Sequence, residues 1–402
     1  MKKIQKIFII TTLFLLPFYF IKFKYSWVSF NLIEILIITL FFVWLLNKEK
    51  KYSMSGNRYI IPAVLIIIGL ILSILINKNY YIGFGIIKGW FLLPMVFAII
   101  FYDSLEKNEE LLNWSLATLF FSGTLISIEG VYYWFSEFLT YDGRLAIFFD
   151  SPNQLAMYLA PVFLIGLKFG FEEYLGLSFE QRKVKFWKKG VMIGIILILF
   201  NLYLTKSYGA WLAVSLALLI VFWLKYRKIW PKKYFFIIFI IFIVFITVVV
   251  FSKFENIKNL SNRSSLASRV MIWKSAGLMI KNSPLFGIGP GNFQNKYLEY
   301  QKYFPPYLEW AVPQPHNLYL AFWLEAGLAG LIGFIWLMIL FFRDNKFAIK
   351  NNRELGILLF GIMVYNLVHG LVDTTYWRND IAVMFWIIIA MNIFLLKTIR
   401  NS

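Results

Sequence analysis

Hydrophobic and polar positions follow one another in long blocks along this chain. Apolar runs of about twenty residues, the length that crosses a bilayer as a helix, are separated by short polar segments. This pattern predicts an all-α integral membrane protein with about twelve transmembrane helices. The predicted spans are 4–21, 27–46, 60–76, 82–102, 111–134, 153–170, 190–204, 209–225, 234–252, 317–341, 355–371 and 379–397. Residues 1–402 then form a single polytopic membrane domain, with a large, partly helical outer loop, 253–315, inserted between helices 9 and 10.

The basic residues predict how these helices are oriented. The net charge is +19, and with the N-terminus inside, most of the forty lysines and arginines fall on inner segments, as short cytoplasmic loops require. We therefore expect both termini in the cytoplasm and the loop 253–315 outside. The charge then reflects topology and contact with anionic membrane lipids, so nucleic acid is not an expected partner. The chain has no cysteine, which excludes disulfides and thiolate metal sites.

The most unusual polar residues lie in segments that this topology places on the outer face. These segments are 141–155, 205–210, 253–315 and 369–380. We therefore expect any site to face outward, away from cytoplasmic nucleotide sugars. No P-loop motif occurs, so a transfer reaction would use a donor that is already activated in the membrane.

The segment 264–283 has apolar residues at helical spacing and predicts an amphipathic helix at the membrane surface. Its predicted apolar stripe consists of Leu266, Val270, Trp273, Gly277 and Ile280. Arg269 lies off this stripe. The following Gly287, Gly289 and Gly291 predict tight turns and offer backbone amides to an anion.

Three motifs occur in the order and spacing of the O-antigen ligase and polymerase family. They are GRLAIFFDSPNQLAMYLA, SRVMIWKSAGLMIKNSPLFGIGPGNF and PHNLYLAFWLEAGLAGLIG. With the closing HGLVD…W segment, the chain resembles this family from about residue 141 to residue 391. One departure is that the family usually has Ser-Arg-Gly where this chain has Ser207, Tyr208 and Gly209. Lys206 is the neighbouring candidate for the missing charge.

The resemblance implies a membrane glycosyltransferase of the bacterial cytoplasmic (inner) membrane that acts on its outer face. Such an enzyme moves a glycan from undecaprenyl diphosphate to an acceptor sugar hydroxyl and needs no cofactor. The ligase type uses lipid A core as acceptor, whereas a polymerase of the same family uses a second lipid-linked repeat.

The chemistry of a diphosphate leaving group favours fixed cations or a divalent metal. No Asp-x-Asp motif occurs, so we expect a metal-independent reaction in which Arg269 grips phosphate. The alternative for Arg269 is contact with lipid phosphates. His316 follows Pro315 at the outer end of the tenth predicted helix, where an imidazole can take the acceptor's proton. A helix-capping His316–Asn317 pair is the alternative, and the family resemblance favours catalysis.

Six further residues form the predicted substrate-binding set: Arg144, Lys206, Asn153, Asn317, Glu325 and Asp373. Competing structural roles are open for several of them. Asn153 beside Pro152 fits a helix N-cap, and Glu325, nine residues into the helix, fits a buried structural carboxylate. His369 and Asp373 are four apart and fit a structural pair.

Two other classes of function compete with the transferase. A transporter or flippase suits twelve helices with scattered charges, although no internal repeat is evident and the polar residues collect on one face. A non-catalytic scaffold in an export complex is the other class. The joint substitution of His316 and Arg269 separates a scaffold from an enzyme.

Overall fold

The computed structural model describes residues 2–25, 28–47, 58–171, 181–227, 265–305, 311–351 and 354–401, and these residues are mainly helical. The helices are α1 (Lys2–Phe14), α2 (Leu32–Leu45), α3 (Ile60–Asn77), α4 (Tyr80–Ile86), α5 (Leu93–Lys107), α6 (Glu110–Phe135), α7 (Pro152–Phe171), α8 (Gln181–Leu204), α9 (Tyr208–Tyr226), α10 (Ser265–Asn282), α11 (Phe293–Tyr300), α12 (Leu318–Lys350), α13 (Glu354–His369) and α14 (Asn379–Asn401). A π-helix, Ile87–Leu92, joins α4 to α5. Strands β1 (Lys22–Tyr25) and β2 (Val28–Asn31) form an antiparallel hairpin, a small departure from the all-α prediction.

Each predicted span within the described residues overlaps a helix, while the ninth, 234–252, lies outside them. Within the part of the chain that the structure describes, six helical segments are long and apolar enough to cross a membrane: Ile60–Asn77, Tyr80–Lys107, Glu110–Phe135, Tyr208–Tyr226, Leu318–Lys350 and Asn379–Asn401. Leu32–Leu45 and Glu354–His369 are apolar but shorter. The chain is therefore an integral membrane protein, and the number of twelve spans and their sidedness stay predictions.

The first two helices differ most from their predicted bounds. Helix α1 ends at Phe14, well before the predicted residue 21, and Pro17 lies in the short 3₁₀ turn that follows. Proline has no backbone N–H for a continuing helix. Helix α2 begins only at Leu32, because Asn31 and Glu34 form a reciprocal capping box that fixes the start.

Small residues let α3 and α12 pack with their backbones in contact. A Cβ added at Gly69 would lie 2.4 Å from the carbonyl oxygen of Ala326, and one added at Gly333 would lie 2.8 Å from that of Pro62. Such close approach is how helices associate in lipid, where apolar surface alone gives no preference for protein neighbours. Helix α14 lies deep in this bundle, since 83% of its apolar window is buried.

Helix α12 is broken at Gly327, whose φ of 66° lies outside the helical region. The segment that follows α10 packs against this break. The Ile288 N–H donates to the Leu324 carbonyl over 2.7 Å, and the Leu328 N–H donates to the Leu285 carbonyl over 2.9 Å. The predicted turns are confirmed, because Gly287, Gly289 and Gly291 have φ of 65°, 89° and 79°. The backbone groups freed by the break thus bond to protein, as non-helical backbone in a membrane must.

The predicted apolar stripe of α10 is wrong. Val270 and Gly277 are exposed, whereas the buried stripe comprises Ala267, Ser268, Met271, Ile272, Ser275, Ala276 and Met279. Met271, Ile272, Ala276 and Met279 belong to a small core with Phe293 and Tyr297 of α11 and Leu324 of α12. Because the helix packs on protein, its small polar residues are buried together with the apolar ones. A prediction from the spacing of apolar residues alone therefore misplaces the buried face.

Candidate functional site

Two segments that are distant in sequence lie side by side at the start of α12. Asn317 is the N-cap of this helix, and its Oδ1 accepts from the N–H groups of Tyr319 and Leu320, each over 3.0 Å. Its Nδ2 donates to the Leu371 carbonyl over 2.9 Å, and the Leu318 N–H donates to that of Gly370 over 2.7 Å. The capping interpretation of Asn317 is confirmed, and the cap also ties the helix start to the segment that carries Asp373.

His316 and Asp373 meet across these two segments. Nδ1 of His316 lies 3.1 Å from Oδ1 of Asp373, which also accepts from the Thr374 N–H over 2.9 Å. Asp373 is buried, while the His316 side chain remains 31% exposed. His316 has a φ of 46°, a left-handed conformation that costs free energy in a residue other than glycine. Strain of this kind persists where the surrounding contacts hold a side chain in place.

The charge state of Asp373 fixes the tautomer of the imidazole. Burial opposes ionisation of the carboxyl, but the charge and hydrogen bond of His316, with Arg269 and His369 nearby, outweigh it and hold the pKa of Asp373 well below its usual range. An ionised carboxylate only accepts hydrogen bonds, so Nδ1 carries the proton. In the neutral ring, Nε2 then has the lone pair that a general base needs.

Helix α10 supports both partners of this pair. Nη2 of Arg269 lies 3.6 Å from Oδ2 of Asp373, and Nε donates to the Val372 carbonyl over 2.7 Å. One turn later, the ring N–H of Trp273 contacts the carbonyl oxygens of Pro315 at 3.1 Å and His316 at 3.3 Å. Residues four apart share a face of a helix, so α10 presents a cation and a positioning group together.

Asn153 links Asp373 to a second arginine. Its Nδ2 donates to Oδ2 of Asp373 over 2.9 Å, and its Oδ1 accepts from Nη2 of Arg144 over 2.8 Å. The N-cap interpretation of Asn153 is wrong, because the Ser151 hydroxyl accepts from the Gln154 N–H over 3.3 Å at this helix start. Both polar atoms of the Asn153 amide are therefore hydrogen-bonded within one polar network. This network consists of His316, Asp373, Arg269, Asn153 and Arg144.

The loop between α8 and α9 lies against Arg144. Nε of Arg144 donates to the Thr205 carbonyl over 2.7 Å. Lys206 follows with a φ of 47° and an exposed side chain, and a Cβ added at Gly143 would lie 3.7 Å from its Nζ. The Lys206 ammonium thus lies next to the segment that carries Arg144. This position suits a residue that replaces the cation missing at Tyr208.

Glu325 lies apart from this network, so the structure does not bring it together with the other predicted site residues. It is 1% exposed beside the break in α12 and accepts from the Gly291 N–H. The glycine-rich segment therefore offers this amide to a side-chain oxygen of the protein itself. This position favours the structural role for Glu325.

The predicted His369–Asp373 pair is also wrong at the level of side chains. Helix α13 ends at His369, so Asp373 leaves the shared helical face and turns to His316. Nδ1 of His369 instead contacts the Tyr365 hydroxyl at 2.8 Å. Elsewhere in the bundle, Nζ of Lys88 lies 2.8 Å from Oε2 of Glu34 in an ion pair.

Sequence reasoning missed two parts of the site. Trp273 was assigned to an apolar stripe, although its spacing of four from Arg269 was a signal that both serve one face. The Thr374 hydroxyl and the Gln314 side chain form a short contact that joins the two segments again, and Gln314 donates to the Trp377 carbonyl over 3.3 Å. No pattern in the sequence announces that pairing, which spans sixty residues.

Comparison with known proteins bears on this arrangement. Residues 193–335 match the model of a family described as O-antigen ligase. The matched range includes Lys206, Arg269 and His316, whereas Arg144 and Asp373 lie outside it. No curated protein matches the chain. The resemblance inferred from the motifs is confirmed over residues 193–335, where the chain is similar to the O-antigen ligase family.

Proposed function

We propose that this protein transfers a lipid-linked glycan from undecaprenyl diphosphate to a sugar hydroxyl of lipid A core, on the outer side of the bacterial inner membrane. The observation that carries the proposal is the His316–Asp373 pair, with Arg269 beside it and Arg144 joined through Asn153. This arrangement combines a base with cations, the two functions that transfer from a diphosphate requires.

His316 is the proposed general base. The 3.1 Å contact to Asp373 leaves Nε2 as the proton acceptor, and the exposed part of the ring lets an acceptor hydroxyl approach it. As the hydroxyl oxygen bonds to the anomeric carbon of the donor sugar, its proton passes to Nε2. Asp373 touches no reacting atom in this scheme. It is a positioning residue that also stabilises the imidazolium formed.

The cations of the network stabilise the leaving group. The bond between the anomeric carbon and the diphosphate oxygen breaks with its electron pair on oxygen, so negative charge grows there. Arg144, Arg269 and Lys206 lie in the network with the carboxylates of Asp142 and Asp373, so the balance is positive. Fixed cations that face a growing negative charge lower the barrier to its formation, and we propose that they do so without a metal ion.

Transfer by the purified protein tests this function. The chain is incubated with undecaprenyl diphosphate-linked glycan and either lipid A core or a second lipid-linked repeat, with His316→Ala protein as the control. We expect glycosylated lipid A core from the parental protein alone. Elongation of the lipid-linked repeat in place of ligation would identify a polymerase, and no transfer to either acceptor would contradict the transferase proposal.

A further inference from the structure

The loop that carries Lys206 is flanked by a cluster of aromatic side chains. Tyr203 closes α8, and Tyr208 and Trp211 open α9. The Tyr203 and Trp211 rings stack with centroids 5.6 Å apart and planes 9° apart, while Tyr208 meets Trp211 at 5.3 Å and 71°. The ring N–H of Trp211 donates to the Leu202 carbonyl over 2.9 Å, which fixes the central ring.

These rings are accessible although they pack together. The Tyr203 and Tyr208 side chains are 63% and 59% exposed, and Trp211 is partly buried between them. The outer rings are steeply inclined to each other, because one is parallel to Trp211 and the other is nearly perpendicular to it. The cluster thus presents two aromatic surfaces on either side of the loop that bears the Lys206 ammonium.

The cluster is tied to the candidate site at both ends of that loop. Gly209, next to Tyr208, lies so close to the Asp373 segment that an added Cβ would be 2.7 Å from Cγ2 of Val372. The carbonyl of the same Val372 accepts from Arg269. At the other end, the Thr205 carbonyl accepts from Arg144. The loop between Tyr203 and Tyr208 therefore contacts one of the two arginines proposed to hold the diphosphate directly, and the residue after it packs on the segment that bonds the other.

We propose that Tyr203, Trp211 and Tyr208 form a saccharide-binding platform that holds a sugar ring of one of the two glycan substrates. The electron-rich face of an aromatic ring attracts the polarised C–H groups on a pyranose face, and tyrosine hydroxyls can bond sugar hydroxyls at the rim. Lys206 lies in the loop between Tyr203 and Tyr208, and its exposed ammonium can donate to sugar hydroxyls or to phosphate. The inference rests on the proposed transferase function and assigns substrate recognition to residues outside the catalytic pair.

Kinetics with each substrate varied separately test the platform. Tyr203→Ala and Tyr208→Ala are compared with Tyr203→Phe and Tyr208→Phe in the purified full chain. We expect each alanine variant to raise the apparent KM of one glycan substrate by about tenfold, the effect of losing one stacked ring. Its kcat should stay within a few-fold of the parental value, and the phenylalanine variants should keep most of the affinity. A raised KM for lipid-linked glycan identifies the donor sugar, and a raised KM for lipid A core identifies the acceptor.

Aromatic side chains also collect at membrane interfaces for reasons unrelated to substrate. Tyr80→Ala is the matched control, since Tyr80 is 46% exposed at the start of another helix. Unchanged KM values in folded alanine variants, or an equal effect of Tyr80→Ala, would overturn the platform. Equilibrium binding of the parental and alanine proteins to lipid-linked glycan and to lipid A core gives a second readout. A protein that binds glycan through these rings but transfers none would refute the transferase and retain the platform.

Discussion

At the scale of single residues, the site is organised around the buried carboxylate of Asp373, which contacts several polar side chains. Asp373 contacts His316, Asn153 and Arg269 at the same time. Its charge therefore orients the imidazole, the Asn153 amide and the Arg269 guanidinium around it. A buried charge with several hydrogen-bonding partners is stable in its ionised form, whereas one that loses them is costly. The residues around Asp373 therefore act as a unit, and their substitutions should have effects that do not add.

A general base and an anion-binding cation fail differently when they are removed. His316→Ala should leave donor binding largely intact and lower turnover by about 10²–10⁴-fold, the usual contribution of base catalysis. Arg269→Ala should weaken donor affinity and turnover together, because the cation binds the diphosphate before and during bond cleavage. Arg269→Lys should retain only part of the parental donor affinity and turnover, since lysine keeps the charge without the bidentate geometry.

Steady-state kinetics and donor binding measure these effects. Lys274→Ala, which removes an exposed cation from the same helix as Arg269, is the control and should leave both parameters near the parental values. If the His316 and Arg269 variants fold, insert and transfer glycan at the parental rate, both residues have structural roles only and the proposed site is wrong.

Asp373→Asn tests the positioning role and has a signature in acid stability. An amide cannot stabilise the imidazolium, so turnover should fall by roughly 10²-fold or more while donor binding changes less. The folded-state pKa of Asp373 is depressed, so its stabilising contribution is present above the unfolded-state pKa and is lost as pH falls through the folded-state value. Thermal unfolding between pH 5 and pH 2 should thus show a shallower decline of stability with falling pH in the variant. A variant with the parental turnover and with the parental loss of thermal stability at low pH would contradict this role.

At the scale of elements, the break in α12 determines where the first half of that helix lies. The half that begins at Leu318 follows His316 and the N-cap Asn317, and it ends at Gly327, where the glycine-rich segment after α10 is bonded to it. The same α10 holds Arg269 and Trp273 against the site. Two connected elements therefore fix the base and the cation relative to each other, through contacts at both ends of one half-helix.

Gly327→Ala should destabilise the protein. The added methyl group would lie 2.5 Å from the Leu285 carbonyl oxygen, and the φ of 66° costs an alanine about 1–3 kcal/mol before that clash is counted. Gly277→Ala is the matched control, because an added Cβ there meets nothing within 4 Å in a helix, and alanine should be neutral or stabilising by about 0.5–1 kcal/mol. Thermal unfolding in detergent compares the two, and equal melting temperatures for both variants would show that the break tolerates side chains.

At the scale of the whole molecule, the bundle brings the polar segments 141–155, 205–210, 314–317 and 369–374 together at one place. Helices α7, α9, α12 and α13 each begin or end beside the network, and α10 covers it. A site built from loops at the ends of several helices is held by the packing of the bundle rather than by any one element. Its chemistry and its side of the membrane are both testable in the intact protein.

Labelling of single cysteines tests the predicted topology in the cysteine-free chain. With both termini cytoplasmic and the loop 253–315 outside, cysteines introduced near residue 300 should react with a membrane-impermeant reagent in intact cells. A cysteine introduced at Lys189, in the N-terminal half of α8, should react only after the cells are opened. The reverse labelling pattern would show that the orientation is wrong.

Chelation tests the proposed metal-independent mechanism. Activity of the purified protein should survive EDTA, because arginine and lysine side chains supply the positive charge that the leaving diphosphate requires. Transfer rates are measured before and after chelation, and again after magnesium or manganese is added. Complete loss of transfer that either ion restores would refute the arginine mechanism.

The sequence by itself determined the membrane class and the places of most helices, and it named the candidate site residues. Apolar block length sets a transmembrane helix with little help from tertiary contacts, because the bilayer requires backbone hydrogen bonds within the helix. The motifs likewise placed His316, Arg269 and Asp373 among the candidates. The apolar block did not predict where α1 ends. The run of apolar residues continues past Phe14, whereas the helix ends before Pro17, a single residue within that run.

Only the tertiary structure decided which of these residues act together. Asp373 was read as a partner of His369 by helical spacing, and it pairs with His316 because α13 ends four residues earlier. Asn153 was read as a cap and bridges Arg144 to Asp373, and α10 buries serines with its methionines because it docks on protein. Periodicity reports what one helix would do alone, whereas hydrogen bonds between segments up to 220 residues apart depend on how the whole bundle packs.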